Sequence, residues 1–343
     1  MSLTVALVIA ALAVLVAIAA HGWWSARRAT PRQPTGLVLP EPMQRVEPTL
    51  GPLPTINAAG TAVAPVPARR GARIDALIDA IAMLAVEAPV TGETVLAHLP
   101  PSRRAGGKPM LVEGLNAESG EWEPPAAGAR YGELQAAVQL ANRSGALNEI
   151  EYSEFVQKTQ ALADAIGAVP DFPDMLDVVV RARELDAFAS PHDANLTVHL
   201  QANSVAWSVG YLRQCAERQG FVPGALPGRL VLPAQEEGAP PVLTLTFDAQ
   251  AALSDDAQLA PVRRLTISLD VAQTPEAAEP FAAWQQAIRA LADDMDASVV
   301  DDEGRPITLM HYTTIADELK LLYSALESRD MAAGSAAARR LFQ

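Results

Sequence analysis

Cysteine is almost absent from this chain: Cys215 stands alone among 343 residues. A single thiol excludes an intramolecular disulfide framework and fits a reducing compartment. It lies beside Leu212 and Ala216 in a helix-like stretch without a base motif, which reads as a buried structural thiol rather than a nucleophile. Histidine is scarce as well. His21, His98, His192, His199 and His311 are scattered, with no i, i+4 pair and no cysteine pair, so no zinc pattern forms. Basic residues are outnumbered 40 to 26 and the net charge is −14. That balance argues against a nucleic-acid surface, which needs clustered Lys and Arg to displace counterions.

Signatures of cofactor chemistry are missing too. The "GGKP" at 106–109 lacks the earlier glycine and the Ser/Thr of a phosphate loop, and Pro109 opposes helix initiation. The acidic "DDEG" at 301–304 lacks the alternating spacing of a calcium loop and reads as a solvated turn before a helix capped by Thr308. No Ser/His/Asp set stands out, since triads are recognised by geometry rather than position. No cofactor, metal or catalytic residue is therefore expected, and the chain is read as a non-enzyme.

Apolar residues, by contrast, make up half of the sequence. Leu3–Ala20 is apolar except for Thr4, long enough to cross a bilayer's hydrocarbon core. Trp23 and Trp24 suit the membrane–water interface, and Arg27, Arg28 and Arg32 follow with no basic residue before the span. The positive-inside bias then predicts a single-pass inner-membrane anchor with the C-terminal bulk cytoplasmic. The rival, a cleaved signal peptide with Ala17, Ala19 and Ala20 near its cleavage site, lacks a charged n-region. Nine prolines between Pro31 and Pro67 predict an extended spacer over 29–70.

Beyond the spacer the chain repeats itself. "ALADAIGA" at 161–168 and "ALADDMDA" at 290–297 share an offset that also pairs Tyr152 with Phe281 and Phe155 with Trp284. The same offset pairs Ala136, Val138 and Leu140 with Leu265, Ile267 and Leu269. Each copy shows an alternating strand, a turn, a helix of 3.6-residue period, a short strand and a last helix. The last helix has the stripe Met175, Val178, Ala182, Leu185 in one copy and Ile315, Leu319, Leu322, Leu326 in the other. A shared order of elements with matched faces reads as a tandem duplication. Upstream, the second copy predicts a strand over 196–201, a helix over 208–219 stopped by Gly220, and strands near 226–232 and 242–248. The first copy predicts a short helix at 91–99 capped by Thr91 and a hairpin over 110–123 around Glu118, Ser119 and Gly120. Residues 73–86 suit helix or strand, and analogy with the second copy favours strand.

The fold class is thus α+β: an N-terminal transmembrane helix, then two tandem modules, each a mostly antiparallel sheet with helices on one face. The divisions are 1–28 (anchor and basic flank), 29–70 (proline-rich linker), 71–190 and 191–328 (the two modules) and 329–343 (C-terminal tail). Ser190, Pro191, His192 and Asp193 form the turn between modules.

The order of span, proline-rich tether and α+β module resembles the ZipA family of bacterial division proteins, which anchor FtsZ polymers to the inner membrane. "RQGFVPG" (218–224) is similar to the family's helix-ending Gly-Phe turn. "AIRALADDMDASVVDDEGRPIT" (287–308) resembles its helix, strand, Asp-Asp turn and final-helix start. The resemblance covers about 195–327 in detail, and 71–190 departs from the usual single module. It implies about six strands with three helices on one face, and an open face that receives the FtsZ C-terminal tail. Carried over residue by residue, that groove falls at Asn195, Thr197, Leu226, Gly228, Thr246, Asp248 and Ser268.

Most of those positions are polar. Thr197, His199, Thr246, Asp248, Thr266 and Ser268 alternate onto the open face, leaving Leu196, Val198, Leu243, Leu245, Leu265 and Ile267 for the helices. The expected function is a membrane-anchored interaction protein of cell division that tethers FtsZ or another division-ring component. The isolated second copy is expected to bind the tail weakly or not at all, with any strong binding needing the first copy, either as a second contact raising effective concentration or as the real site. The alternatives are a membrane-tethered enzyme or a ligand sensor with its site between the modules.

Overall fold

The computed structural model describes residues 73–343 apart from 255 and 257–259. The expected anchor Leu3–Ala20 and the proline-rich linker lie outside the described residues. Among the described residues no helix is long and apolar enough to cross a membrane. The architecture is mixed α+β, with antiparallel sheets and helices.

In the first part of the chain, β1 (Asp79–Thr91) runs into the short α1 (Gly92–His98). The Thr91 side chain accepts from the Thr94 N–H, so the hydroxyl satisfies one of the orphan donors of the first helical turn. Next come β2 (Arg104–Ala105), β3 (Lys108–Asn116), β4 (Trp122–Glu123) and β5 (Arg130–Gln139), then the small hairpin β6 (Ala141–Asn142) and β7 (Gly145–Ala146). The long α2 (Glu149–Ile166), β8 (Ala168–Asp171) and α3 (Met175–Ala189) complete the unit. Only part of 73–86 is strand. Residues before Asp79 turn instead, with the Ile78 and Asp79 amides donating to the Asp75 carbonyl.

The second part holds β9 (Asn195–Ala202), β10 (Trp207–Ser208), α4 (Val209–Arg218), β11 (Val222–Pro223), β12 (Arg229–Leu232) and β13 (Leu243–Phe247). It continues through α5 (Ala249–Leu253), β14 (Pro261–Val262), β15 (Arg264–Asp270), α6 (Pro280–Met295), β16 (Ala297–Val300) and α7 (Leu309–Glu327). The two main sheets follow one plan. The strand order is β3-β5-β1-β8 in the first and β13-β15-β9-β16 in the second, antiparallel throughout. In each, the first strand in sequence sits between the strand before the long helix and the strand after it.

The two similar octapeptides occupy the same place in this plan. Both end their long helix on a left-handed residue, Gly167 at φ 71° and Asp296 at φ 53°. The cap amides donate to Ala163 and Ala292 respectively, the same carbonyl of the repeated sequence. Glycine enters the left-handed region freely, whereas aspartate needs local support. Asn203 Nδ2 and Ser204 Oγ supply it by donating to the Asp296 carboxylate.

Each sheet buries one face under its helices. Ala80, Ala82, Leu84, Leu134, Ala136 and Val138 pack against Phe155, Leu162, Val178 and Ala182 in the first core. Val198, Leu200, Leu245, Leu265 and Ile267 pack against Leu212, Trp284, Ile288, Leu291 and Leu319 in the second. Cys215 is fully buried in that second core.

The C-terminal residues are not a tail. Residues 336–341 form α8 (Ala336–Leu341), with the Ser335 side chain accepting from Ala338 N–H at its start. Leu326, Met331, Ala338, Leu341 and Phe342 belong to the core of the first sheet, not the second. With six helical residues, the segment is too short for its periodicity to announce a docked helix. Arg340 anchors it through two bonds to the fully buried Asp79 carboxylate, Nη1 to Oδ2 at 2.8 Å and Nη2 to Oδ1 at 2.5 Å.

Leaving one member of such a pair buried alone costs about 3–5 kcal/mol. Arg340→Ala and Asp79→Ala are each expected to lose that much in urea unfolding of the full chain, followed by tryptophan fluorescence. The double variant should lose less than the sum of the two. Single-variant losses under about 1 kcal/mol would show that the pair does not hold the helix.

Candidate binding surface

The uncovered face of the second sheet follows from strand register. Thr246 lies opposite Arg229 and Thr266, and Thr266 opposite His199. Ser268 lies opposite Thr244 and Thr197, and Asp270 opposite Asn195. Directly opposed residues share a face, so these side chains form one polar field on the side away from the helices.

Of the residues carried over from the resemblance, Asn195, Thr197, Thr246 and Ser268 stand on this field. Leu226, Gly228 and Asp248 stand at its edge, beyond the strands. Leu226 is 61% exposed in the turn before β12. Gly228 has φ 73°, and a Cβ there would come within 2.6 Å of the Phe247 carbonyl oxygen. Asp248 departs from the expected alternation. β13 ends at Phe247, and the Asp248 carboxylate instead accepts the Gln250 N–H as the cap of α5.

The first module closes one end of the field. Arg143, in the turn between β6 and β7, donates from Nε and Nη2 to the Asp193 carboxylate at 2.8 and 2.6 Å. Its Nη2 also reaches Asp270 Oδ2 at 2.8 Å. A cleft of about 410 Å³ results, with Arg143, Asn195, Arg229, Thr246, Ser268 and the Pro240–Pro241 wall around it. Burial raises the Asp270 carboxyl above its usual value, while the hydrogen bond and charge of Arg143 oppose the rise.

The lysine of "GGKP" holds the arginine's turn in place. Lys108 is buried, and its ammonium donates to Asn142 Oδ1 at 2.6 Å, Ser144 Oγ at 3.2 Å and the Gly145 carbonyl. Burial lowers its pKa. This structural role is not legible in the sequence, because the acceptors lie across a hairpin. Its three donors are satisfied by neutral oxygens, which fixes the turn without a second charge.

Sequence spacing also missed a string of polar groups around His199. This ring is nearly buried, with Nδ1 at 2.9 Å from Thr266 Oγ1 and Nε2 at 2.7 Å from Asp302 Oδ1. Hydroxyl, imidazole and carboxylate in line have the components of a nucleophilic relay. Thr266 sits mid-strand between β9 and β13, however, so the backbone amides beside it lie in the sheet plane and cannot cradle an oxyanion. The arrangement instead pins the 301–304 turn over the sheet. That turn is closed by Asp301, which accepts from the Glu303 and Arg305 amides. Among the described residues no group of His, Cys, Asp and Glu is placed to hold a metal ion.

No family model matches the chain, and no curated protein matches it.

The Arg143 cluster makes a measurable electrostatic claim. Because burial holds the folded Asp270 carboxyl above its unfolded pKa, its contribution to stability is present below the ordinary carboxylate range. It is lost as pH rises through the folded value. Arg143→Ala removes the two largest influences that lower this pKa, so the Asp270 titration followed by carboxyl 13C NMR should move upward. A midpoint that stays put or falls would mean that Arg143 does not govern this carboxylate.

Proposed function

We propose that the chain is a membrane-anchored, non-catalytic interaction protein of bacterial cell division, similar to the ZipA family, tethering FtsZ or another division-ring component to the inner membrane. In this reading Leu3–Ala20 is the anchor, residues 29–70 are the spacer, and the described residues are two tandem ZipA-like modules. The observation that carries the reading is the uncovered face of the second sheet. It has six antiparallel strands, with α4, α6 and α7 confined to the opposite side. A sheet with one bare face offers a partner a broad shallow surface, and the cleft at its end gives that surface a defined register.

Polar side chains on this face weaken the apolar term that would otherwise drive peptide docking, which is roughly 25 cal/mol for each Å² of apolar surface buried. Direction and specificity then rest on hydrogen bonds and charge. The first module is part of the site rather than a second independent one, since Arg143 stands at its margin.

The test is a titration of a labelled FtsZ C-terminal tail peptide with the full chain in lipid nanodiscs. Saturable binding that is weakened by Thr246→Arg, which crowds the field, is the expected result. No binding of the tail, or binding unaffected by the arginine, would sink FtsZ docking on this face. A second measurement concerns the anchor: a reporter fused after Gln343 should be active on the cytoplasmic side only.

A further inference from the structure

A small apolar cavity opens at the outer edge of the first sheet and shares no residue with the cleft at the module junction. Its volume is about 160 Å³, with Pro100, Met110, Leu111, Val112 and the Pro124–Pro125 pair supplying most of the wall. Ring-locked prolines on two sides resist the relaxation that would otherwise close such a space. The sheet edge is unpaired at this point. The Met110 N–H donates outward to the Arg103 carbonyl at 2.9 Å, so alternation along β3 turns the Val112 amide outward as well. β2 pairs with β3 as far as Pro109, and β4 pairs with it from Gly114. Val112 therefore faces the gap between them.

The charge of the lining has one sign. Arg103 is its one ionisable residue, and among the described residues the guanidinium has neither an ion pair nor a hydrogen bond. The acids adjoining the wall in sequence, Glu113 and Glu123, stand outside the lining. Glu113 accepts from the Ile74 amide and Gln135, and Glu123 from Asn116 and the Tyr131 hydroxyl.

We infer that this cavity binds a phenyl-sized ring that carries a carboxylate. An apolar cavity of about 150 Å³ takes up benzene, so one of about 160 Å³ has room for a single six-membered ring. The Met110 thioether adds a polarisable contact for that ring. At the mouth, a carboxylate gains from the Arg103 charge and from the outward Val112 N–H, whereas a cation gains from neither. A free aromatic acid and the C-terminal residue of a peptide both present this combination. The peptide end adds an amide N–H to meet the outward Val112 carbonyl. The inference goes beyond the proposed function and does not rest on it, since the cavity belongs to the first sheet and the proposed surface to the second.

The experiment uses the full chain in lipid nanodiscs with 13C-labelled methionine methyls, and reads the buried Met110 methyl in the cavity wall. N-acetylphenylalanine, its primary amide, N-acetylalanine and hydrocinnamate are titrated in turn. N-acetylphenylalanine should shift the Met110 methyl saturably, and N-acetylalanine should bind at least about tenfold more weakly. The amide should bind about threefold more weakly than the acid, a modest margin because Arg103 is exposed. Arg103→Gln should abolish that margin while leaving the preference for the ring and the thermal midpoint unchanged. Equal affinity for the phenylalanine and alanine derivatives, a Met110 methyl that no aromatic acid moves, or an acid preference that survives Arg103→Gln would each overturn the inference. Among supporting results, tighter binding of N-acetylphenylalanine than of hydrocinnamate assigns the site to a peptide end, and parity or the reverse assigns it to a free aromatic acid. FtsZ docking on the second sheet is untouched by any of these outcomes.

Discussion

The Arg340–Asp79 pair closes the molecule. Asp79 opens β1, the central strand of the first sheet, and Arg340 lies in the last helix of the chain. Arg340 Nη1 also donates to the Arg73 carbonyl at 2.9 Å, so one side chain ties the segment before β1 to the last helix. Two charges withdrawn from water gain little over a well-packed apolar pair. What they enforce is geometry, because each fixes the other where no water can substitute. With the helix held there, Gln139 Nε2 reaches the Arg340 carbonyl at 2.8 Å and Gln273 Nε2 reaches the Phe342 carbonyl. One glutamine belongs to the first sheet and the other follows the last long strand of the second.

The C-terminal segment is therefore a wedge shared by both sheets, and this constrains how the two can be separated. Ala272, Leu326 and Phe342 all sit in the first core, although two of them come from the second module's own elements or their extension. Cutting the second module free would expose these side chains and release the Arg143 contact to Asp270. A second module studied alone would report on a damaged surface as well as a smaller one. The coupling is structural before it is a matter of effective concentration.

Much of this architecture was legible because it rests on local rules. Period-two alternation gave β13 and β15, period-3.6 stripes gave α2 and α6, and Thr91 announced α1 through its capping hydroxyl. The repeated octapeptide marked equivalent helix ends, down to the left-handed cap residue. The features that were not legible depend on contacts distant in sequence. Lys108 finds its acceptors in the β6–β7 turn, His199 finds Asp302, and Arg340 finds Asp79 at the opposite end of the described chain. Asp248 was misread because the alternation of β13 extends one residue beyond the strand, where a capping carboxylate looks like another outward side chain.

The two sheets share a plan but not a surface, and the reason lies in what each open face meets. In the first, Ile81 and Leu111 flank Ala137 across the register, an apolar centre where the second sheet has threonines and serine. Glu113 interrupts that centre, nearly fully buried, and accepts from the Ile74 amide at 3.1 Å and from Gln135 Nε2 at 3.0 Å. The chain's own entry segment thus lies along the first face, where apolar side chains gain from being covered. On the second face the 301–304 turn is held at His199, and Thr197, Thr244, Thr246 and Thr266 stay partly exposed, so the face remains polar without burying unpaired groups. The two sheets, alike in strand order, thus assign their outer faces differently, the first to the chain's own entry segment and the second to a polar field. The position of Arg143, reaching from the first sheet's hairpin to the margin of the second sheet's field, is where the two assignments meet.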